Sequence, residues 1–177
     1  MPKLIVLAFG ADASSVSLAQ AAAEGARDVR FMEVEVRAVR NSRGVHDSRS
    51  DSDNDRATAG DSGLRMFDGA EHITDYDGAM FCAGDDAASS AALDAFLEQL
   101  AALQPANRFA NSVFALTGHA APQIAPLAAL GGIIVSMPRG NDDERPRAHG
   151  ARTAKVIGWV RHALGHEQTD SAHHHHH

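Results

Sequence analysis

Apolar and polar positions alternate along this chain in blocks. KLIVLAF at 3–9 is apolar at nearly every position, the pattern of a strand buried on both faces. RFMEVEVRAV at 30–39 alternates instead, with Met32, Val34, Val36 and Ala38 on one side, which predicts an edge strand. GAMFCAG (78–84), SVFALT (112–117) and GGIIVSMP (131–138) supply three more apolar runs. Helix-forming segments lie between them. Residues 15–27 are rich in alanine, with Ser14 or Ser15 as the expected cap. Residues 89–104 put Ala92, Phe96, Leu100 and Leu103 on one face, with Ser89 or Ser90 as cap and Pro105 beyond the end. A short helix is expected at 121–130, and a last one from about 149 to 164 turns Val156, Ile157, Val160 and Leu164 inward. Residues 41–63 offer almost nothing to bury and are expected to form a flexible loop.

Five strands alternating with helices predict a three-layer α/β sandwich, with a five-stranded parallel sheet in the order 2-1-3-4-5 and helices on both faces. One domain over 1–166 is expected, with a disordered tail at 167–177 that ends in a histidine run resembling a purification tag. Ligands of such sheets bind beyond the C-terminal ends of the strands. That rule selects the loops at 10–15, 83–89 and 117–122.

Composition narrows the function classes. The chain has 177 residues, 44% of them hydrophobic and 22% charged, with a net charge of −7. Such a balance disfavours nucleic acids and anionic membranes as partners. No apolar run approaches the roughly 18–20 residues of a membrane span. A lone cysteine, Cys82, excludes an internal disulfide and fits a reducing cytoplasm, the expected location. Cys82 lies in an apolar strand and is expected as a core thiol, and Trp159 is expected to pack.

The stretches VLAFGADASSVSLAQAAAEGA, DYDGAMFCAG and FALTG…LGGIIVSMP resemble the flavodoxin-like superfamily. AQAAAEGA and DYDGAMF are most similar to the branch of NAD(P)H:quinone oxidoreductases that includes the tryptophan-repressor-binding protein. The resemblance implies FMN as cofactor, with its phosphate on the first loop and its ring between the second and third. Onto this chain it carries Gly10, Ala11, Asp12, Ser14, Ser15 and Ser17 for the phosphate, Gly84 and Asp85 for the second loop, and Thr117, Gly118 and His119 for the third. The chain departs from the family pattern in all three loops. Gly10 stands where the first hydroxyl is expected and Ala13 replaces a glycine, while Ser17 keeps the last hydroxyl. A carboxylate such as Asp12 at about 5 Å from a phosphate costs roughly 3 kcal/mol at an effective dielectric near 20. The second loop, AGDDAA (83–88), lacks the proline, arginine and ring-bordering aromatic of the family, and the third is shortened to LTGHAAPQ (116–123).

The expected function is therefore a divergent relative of the FMN-dependent quinone reductases in which FMN binding is weak or lost. Two alternatives stay open: a working FMN-dependent reductase or electron-transfer flavodoxin, and a non-catalytic flavodoxin-fold protein that assembles with a partner or binds another small ligand. A phosphoryl-accepting receiver domain shares the sheet order, but it needs an acidic pair after the first strand and a lysine after the fifth, where this chain has Arg139. Asp12, Asp85 and Asp86 are not expected to hold a metal. His162 and His166 are spaced for one helix face but lack a third ligand nearby. The family's homo-oligomer contacts draw on a longer insertion near 141–147, which is short here.

Overall fold

Residues 3–9 form the first strand in sequence and the second in space. In β1 (Lys3–Phe9), Leu4, Val6 and Ala8 face one side and Ile5, Leu7 and Phe9 the other, all fully buried. The computed structural model describes residues 1–10, 13–40, 63–103, 109–118, 123–137 and 144–174, with side chains to 165. Among these residues β1 is joined by β2 (Glu33–Val39), β3 (Gly78–Ala83), β4 (Val113–Gly118) and β5 (Ile133–Val135). All neighbours pair in parallel, in the order β2-β1-β3-β4-β5. The predicted sheet and its flavodoxin-like α/β topology are thus observed. The order reverses between β1 and β3, which opens a crevice at their C-terminal ends.

The edge strand is partly covered. After residue 63 the chain returns beside β2, where the Ala38 amide donates to Arg65 O at 2.8 Å and the Phe67 amide donates to Ala38 O at 2.9 Å. A short 3-10 turn (Ala70–Asp75) then leads into β3. Pairing the outer edge in this way removes donors and acceptors that would otherwise invite another strand.

The two faces of the sheet are filled differently. One is lined by rings: Phe9, Phe81, Phe96 and Phe114 stack or meet edge to face, and Phe67, Tyr76 and Phe109 extend the network. Helix α2 (Ala87–Ala102) covers this face with Leu93, Phe96, Leu97 and Leu100. The other face carries small and aliphatic residues beneath α1 (Ala13–Arg27) and α4 (Arg145–His174). Helix α1 buries Ala19, Ala22, Ala23, Gly25 and Ala26, and α4 buries Ala154 and Ile157. Cys82 belongs to this layer, and burial pushes its thiol pKa far up, so it is an inert core thiol.

Several boundaries differ from the sequence reading. Helices α1 and α2 begin at Ala13 and Ala87, so Ser14, Ser15, Ser89 and Ser90 lie inside the first turns and do not cap them. Asp86 holds the N-cap position of α2 without a side-chain cap bond. Between β4 and β5, α3 (Ile124–Ala128) takes Pro126 in its first turn, where no helical amide bond is lost. Helix α4 starts at Arg145, inside the segment read as a polar connection, with Pro146 at its second position. Its backbone stays helical to His174, through residues expected to form a tail, and after Gly165 neither glycine nor proline interrupts it. The segment 41–62 lies outside the described residues, as does the end of the expected helix at 104 and the start of the one at 121.

Candidate functional site

A cleft of about 630 Å³ opens at the C-terminal edge of the sheet, between the first turns of α1 and α4. Six residues singled out from sequence line it: Ser14, Ser17, Gly84, Asp85, Thr117 and Gly118. Helical geometry sorts the three serines. Ser14 and Ser17 are three apart and share the exposed face, while Ser15 points about 100° away and is fully buried. Ser15 therefore belongs to the interior and not to the cleft, contrary to the sequence reading. Ala11, Asp12 and His119 lie outside the described residues.

Gly10 is also not part of the lining. Its φ of 86° is a left-handed conformation, and its amide donates to Val39 O at 2.8 Å. A Cβ there would sit 3.0 Å from Ser89 Cα, so the start of α2 presses directly on the loop after β1. Gly10 thus ties β1 to β2 and lets α2 approach, and its amide is not offered to a ligand. Gly118 is equally constrained: at φ 70° a Cβ would meet Ala83 O at 2.4 Å and Leu18 Cδ1 at 2.5 Å.

Ser89 fastens the loops after β1 and β3 to each other. The Gly84 amide donates to Ser89 Oγ at 2.8 Å, and that hydroxyl donates to Phe9 O at 2.6 Å. Gly84 contributes to the cleft wall, yet its donor is already engaged. Ser89→Ala leaves two buried backbone groups without this partner and is expected to cost about 2 kcal/mol. Urea denaturation measures it, and an unchanged midpoint would show that the clip is dispensable.

The sequence reading missed the α4 side of the cleft. Arg145, Pro146 and Met137 line it, together with Leu18 and Ala21 of α1. Arg145 is half-buried and brings a permanent cation to the lining that it shares with Ser14 and Ser17. One turn further, His149 is fully buried, with its Nε2 3.0 Å from Leu116 O. As the donor in that bond, Nε2 carries the proton, and Nδ1 has no hydrogen-bond partner among the described residues. Burial lowers the His149 pKa to about 4 against the opposing pull of the Leu116 carbonyl, with a further lowering from Arg152. His149 fixes the start of α4 to β4, next to Thr117 and Gly118. In the sequence it was one of several scattered histidines.

No phenylalanine, tyrosine or tryptophan lines the cleft among the described residues. The chain holds seven phenylalanines, one tyrosine and one tryptophan. Six phenylalanines and Tyr76 belong to the ring network on the α2 face. The remaining two, Phe31 and Trp159, are exposed, Phe31 before β2 and Trp159 on α4. Trp159 is 67% exposed, which corrects the expectation that it packs. Among the described residues no cluster of three His, Cys, Asp or Glu is placed to hold a metal ion, and no helix is long and apolar enough to cross a membrane.

No family model and no curated protein matches the sequence. Solved structures do match the fold. A flavodoxin described as from Streptococcus pneumonia TIGR4 superposes with a TM-score of 0.55 at 13% identity, over 88% of this chain and 98% of that one. A diflavin flavoprotein A3 from Nostoc sp. gives 0.56 at 16% identity, over 93% and 97%. Likeness at this level establishes the flavodoxin-like fold and nothing finer.

Proposed function

We propose that this chain is a divergent flavodoxin-fold protein whose cleft takes a phosphorylated small ligand and holds FMN weakly or not at all. The cleft volume, about 630 Å³, lies in the range of roughly 300–1,000 Å³ usual for small-molecule sites. Ser14, Ser17 and the Arg145 guanidinium supply donors and positive charge, and the N-terminal end of α1 adds the positive pole of its dipole. Asp85 on the same lining accepts hydrogen bonds from hydroxyls and opposes a second negative charge. These groups suit a polyol phosphate, the part of FMN that precedes its ring.

The ring itself is poorly served, and the carrying observation is the placement of every aromatic residue away from the lining. Ring contacts contribute about 0.5–1.5 kcal/mol each beyond area burial, so two missing faces lower affinity by roughly tenfold or more. The relatedness to flavoproteins in fold supports a flavin ancestry for the pocket, while the lining supports its loss of grip on the ring.

Titration of the purified protein with FMN, riboflavin and ribose 5-phosphate tests this reading, by flavin fluorescence and by thermal shift. Ribose 5-phosphate is expected to raise the melting temperature, FMN to bind no tighter than about 10 µM, and riboflavin at least about tenfold more weakly. Arg145→Met is expected to bring FMN down to the riboflavin level. A yellow preparation with nanomolar FMN would mean an intact ring site. No shift with ribose 5-phosphate, or equal affinity for FMN and riboflavin, would remove the phosphate role.

A further inference from the structure

The charge of α4 runs against that of the whole molecule. Between 145 and 165 it carries Arg145, Arg147, Arg152, Lys155 and Arg161 and no acidic residue, in a chain of net charge −7. Three of these cations have work within the fold. Arg147 reaches Glu24 at 3.4 Å and Asp28 at 3.8 Å, Arg161 reaches Asp77 at 3.5 Å, and Arg145 lines the cleft. Arg152 and Lys155 are exposed and make no ion pair among the described residues. Trp159 follows at a spacing of three, then four residues, so the three side chains share the outer face of the helix. Here the chain's one tryptophan is two-thirds exposed, at 67%, beside two unneutralised cations.

From this juxtaposition the geometry points to a docking face, distinct from the cleft, for an acidic segment of another protein. Its carboxylates pair with Arg152 and Lys155, and an apolar side chain covers the indole of Trp159. Tryptophan and arginine are the residue types that dominate interface energetics, and complementary charge sets register and encounter rate. A polyphosphate has no apolar side chain with which to cover the indole of Trp159. A lipid surface needs a broader apolar face than one indole flanked by cations. A two-fold pairing of α4 with its own copy would set like charges against each other.

Because Trp159 is the single tryptophan, its emission reads this face alone. The probe is a synthetic peptide of Glu, Leu and Ala, compared with the same peptide carrying Gln for Glu. The acidic peptide is expected to shift the emission to the blue, saturably, with affinity falling roughly tenfold between low salt and high salt. The double variant Arg152→Glu, Lys155→Glu is expected to abolish the shift while leaving the urea midpoint in place, since both side chains are exposed. No shift with the acidic peptide, or an equal shift with the Gln peptide, overturns the proposal. So does a response confined to phosphatidylserine vesicles or single-stranded DNA, or a blue shift that grows with protein concentration alone and gives the face to a second copy.

Discussion

Gly150→Ala is expected to destabilise the protein by about 3 kcal/mol, even though alanine is the better helix former by about 1 kcal/mol. A Cβ at Gly150 would sit 1.9 Å from Ala22 O, and one at Gly25 would sit 1.9 Å from Arg147 O. The backbones of α1 and α4 therefore touch, each helix presenting its glycine to a carbonyl of the other. No side-chain rotation relieves an overlap with a backbone oxygen, so one helix has to move away from its partner. The movement would open the small-residue layer beneath and displace Arg145 and Pro146 from the cleft. Gly158 on the same helix has nothing within 4 Å of its would-be Cβ, and Gly158→Ala is expected to stabilise by up to about 1 kcal/mol. Adding Gly25→Ala to Gly150→Ala is expected to cost less than the sum of the two, because the helices have already separated. Urea midpoints decide the matter: a Gly150→Ala protein as stable as the parent would mean that the helices pack otherwise.

Acidification is expected to remove roughly 3 kcal/mol of stability through His149 alone, about 1.36 kcal/mol for each unit its pKa is depressed. Its folded pKa of about 4 lies below the ordinary value of 6.5, because burial disfavours the imidazolium. The unfolded chain therefore takes up the proton first. Stability is complete above about pH 6.5 and declines as the pH falls toward 4, where the folded state begins to protonate as well. His149→Gln can still donate to the Leu116 carbonyl and does not titrate. Stability measured from pH 7.5 to 4.5 for both proteins isolates the histidine, since their difference should shrink or invert as acid is added. A constant difference across that interval would assign the acid sensitivity to other groups.

Much of the fold was legible because the buried strands carry their burial in composition. A run such as LIVLAF has no polar face to offer water, and alternation in EVEVRAV marks the edge. The cleft was legible only in part. Ser14, Ser17, Gly84, Asp85, Thr117 and Gly118 follow from the rule that strand ends gather at one rim, and all six line it. Ser15 was misplaced because its direction depends on where the helix begins, and a one-residue change in that start rotates a side chain by about 100°. Arg145, Pro146 and Met137 lie some 120 residues or more from the first loop in sequence, and only the close contact of α1 with α4 brings them there. Ser89 reads as a helix cap from its neighbours. That its hydroxyl instead bridges Gly84 and Phe9 depends on the separation of two loops, which no local pattern encodes.

The unequal filling of the sheet's two faces gives the molecule separate optical reporters for its two halves. The phenylalanine and tyrosine ring contacts among the described residues lie with α2, so near-ultraviolet circular dichroism in the phenylalanine and tyrosine bands registers order on that half. The half built of alanine, valine and glycine is silent there, and only the indole on α4 speaks for it. Followed together during gradual heating, the two signals would tell which half loosens first.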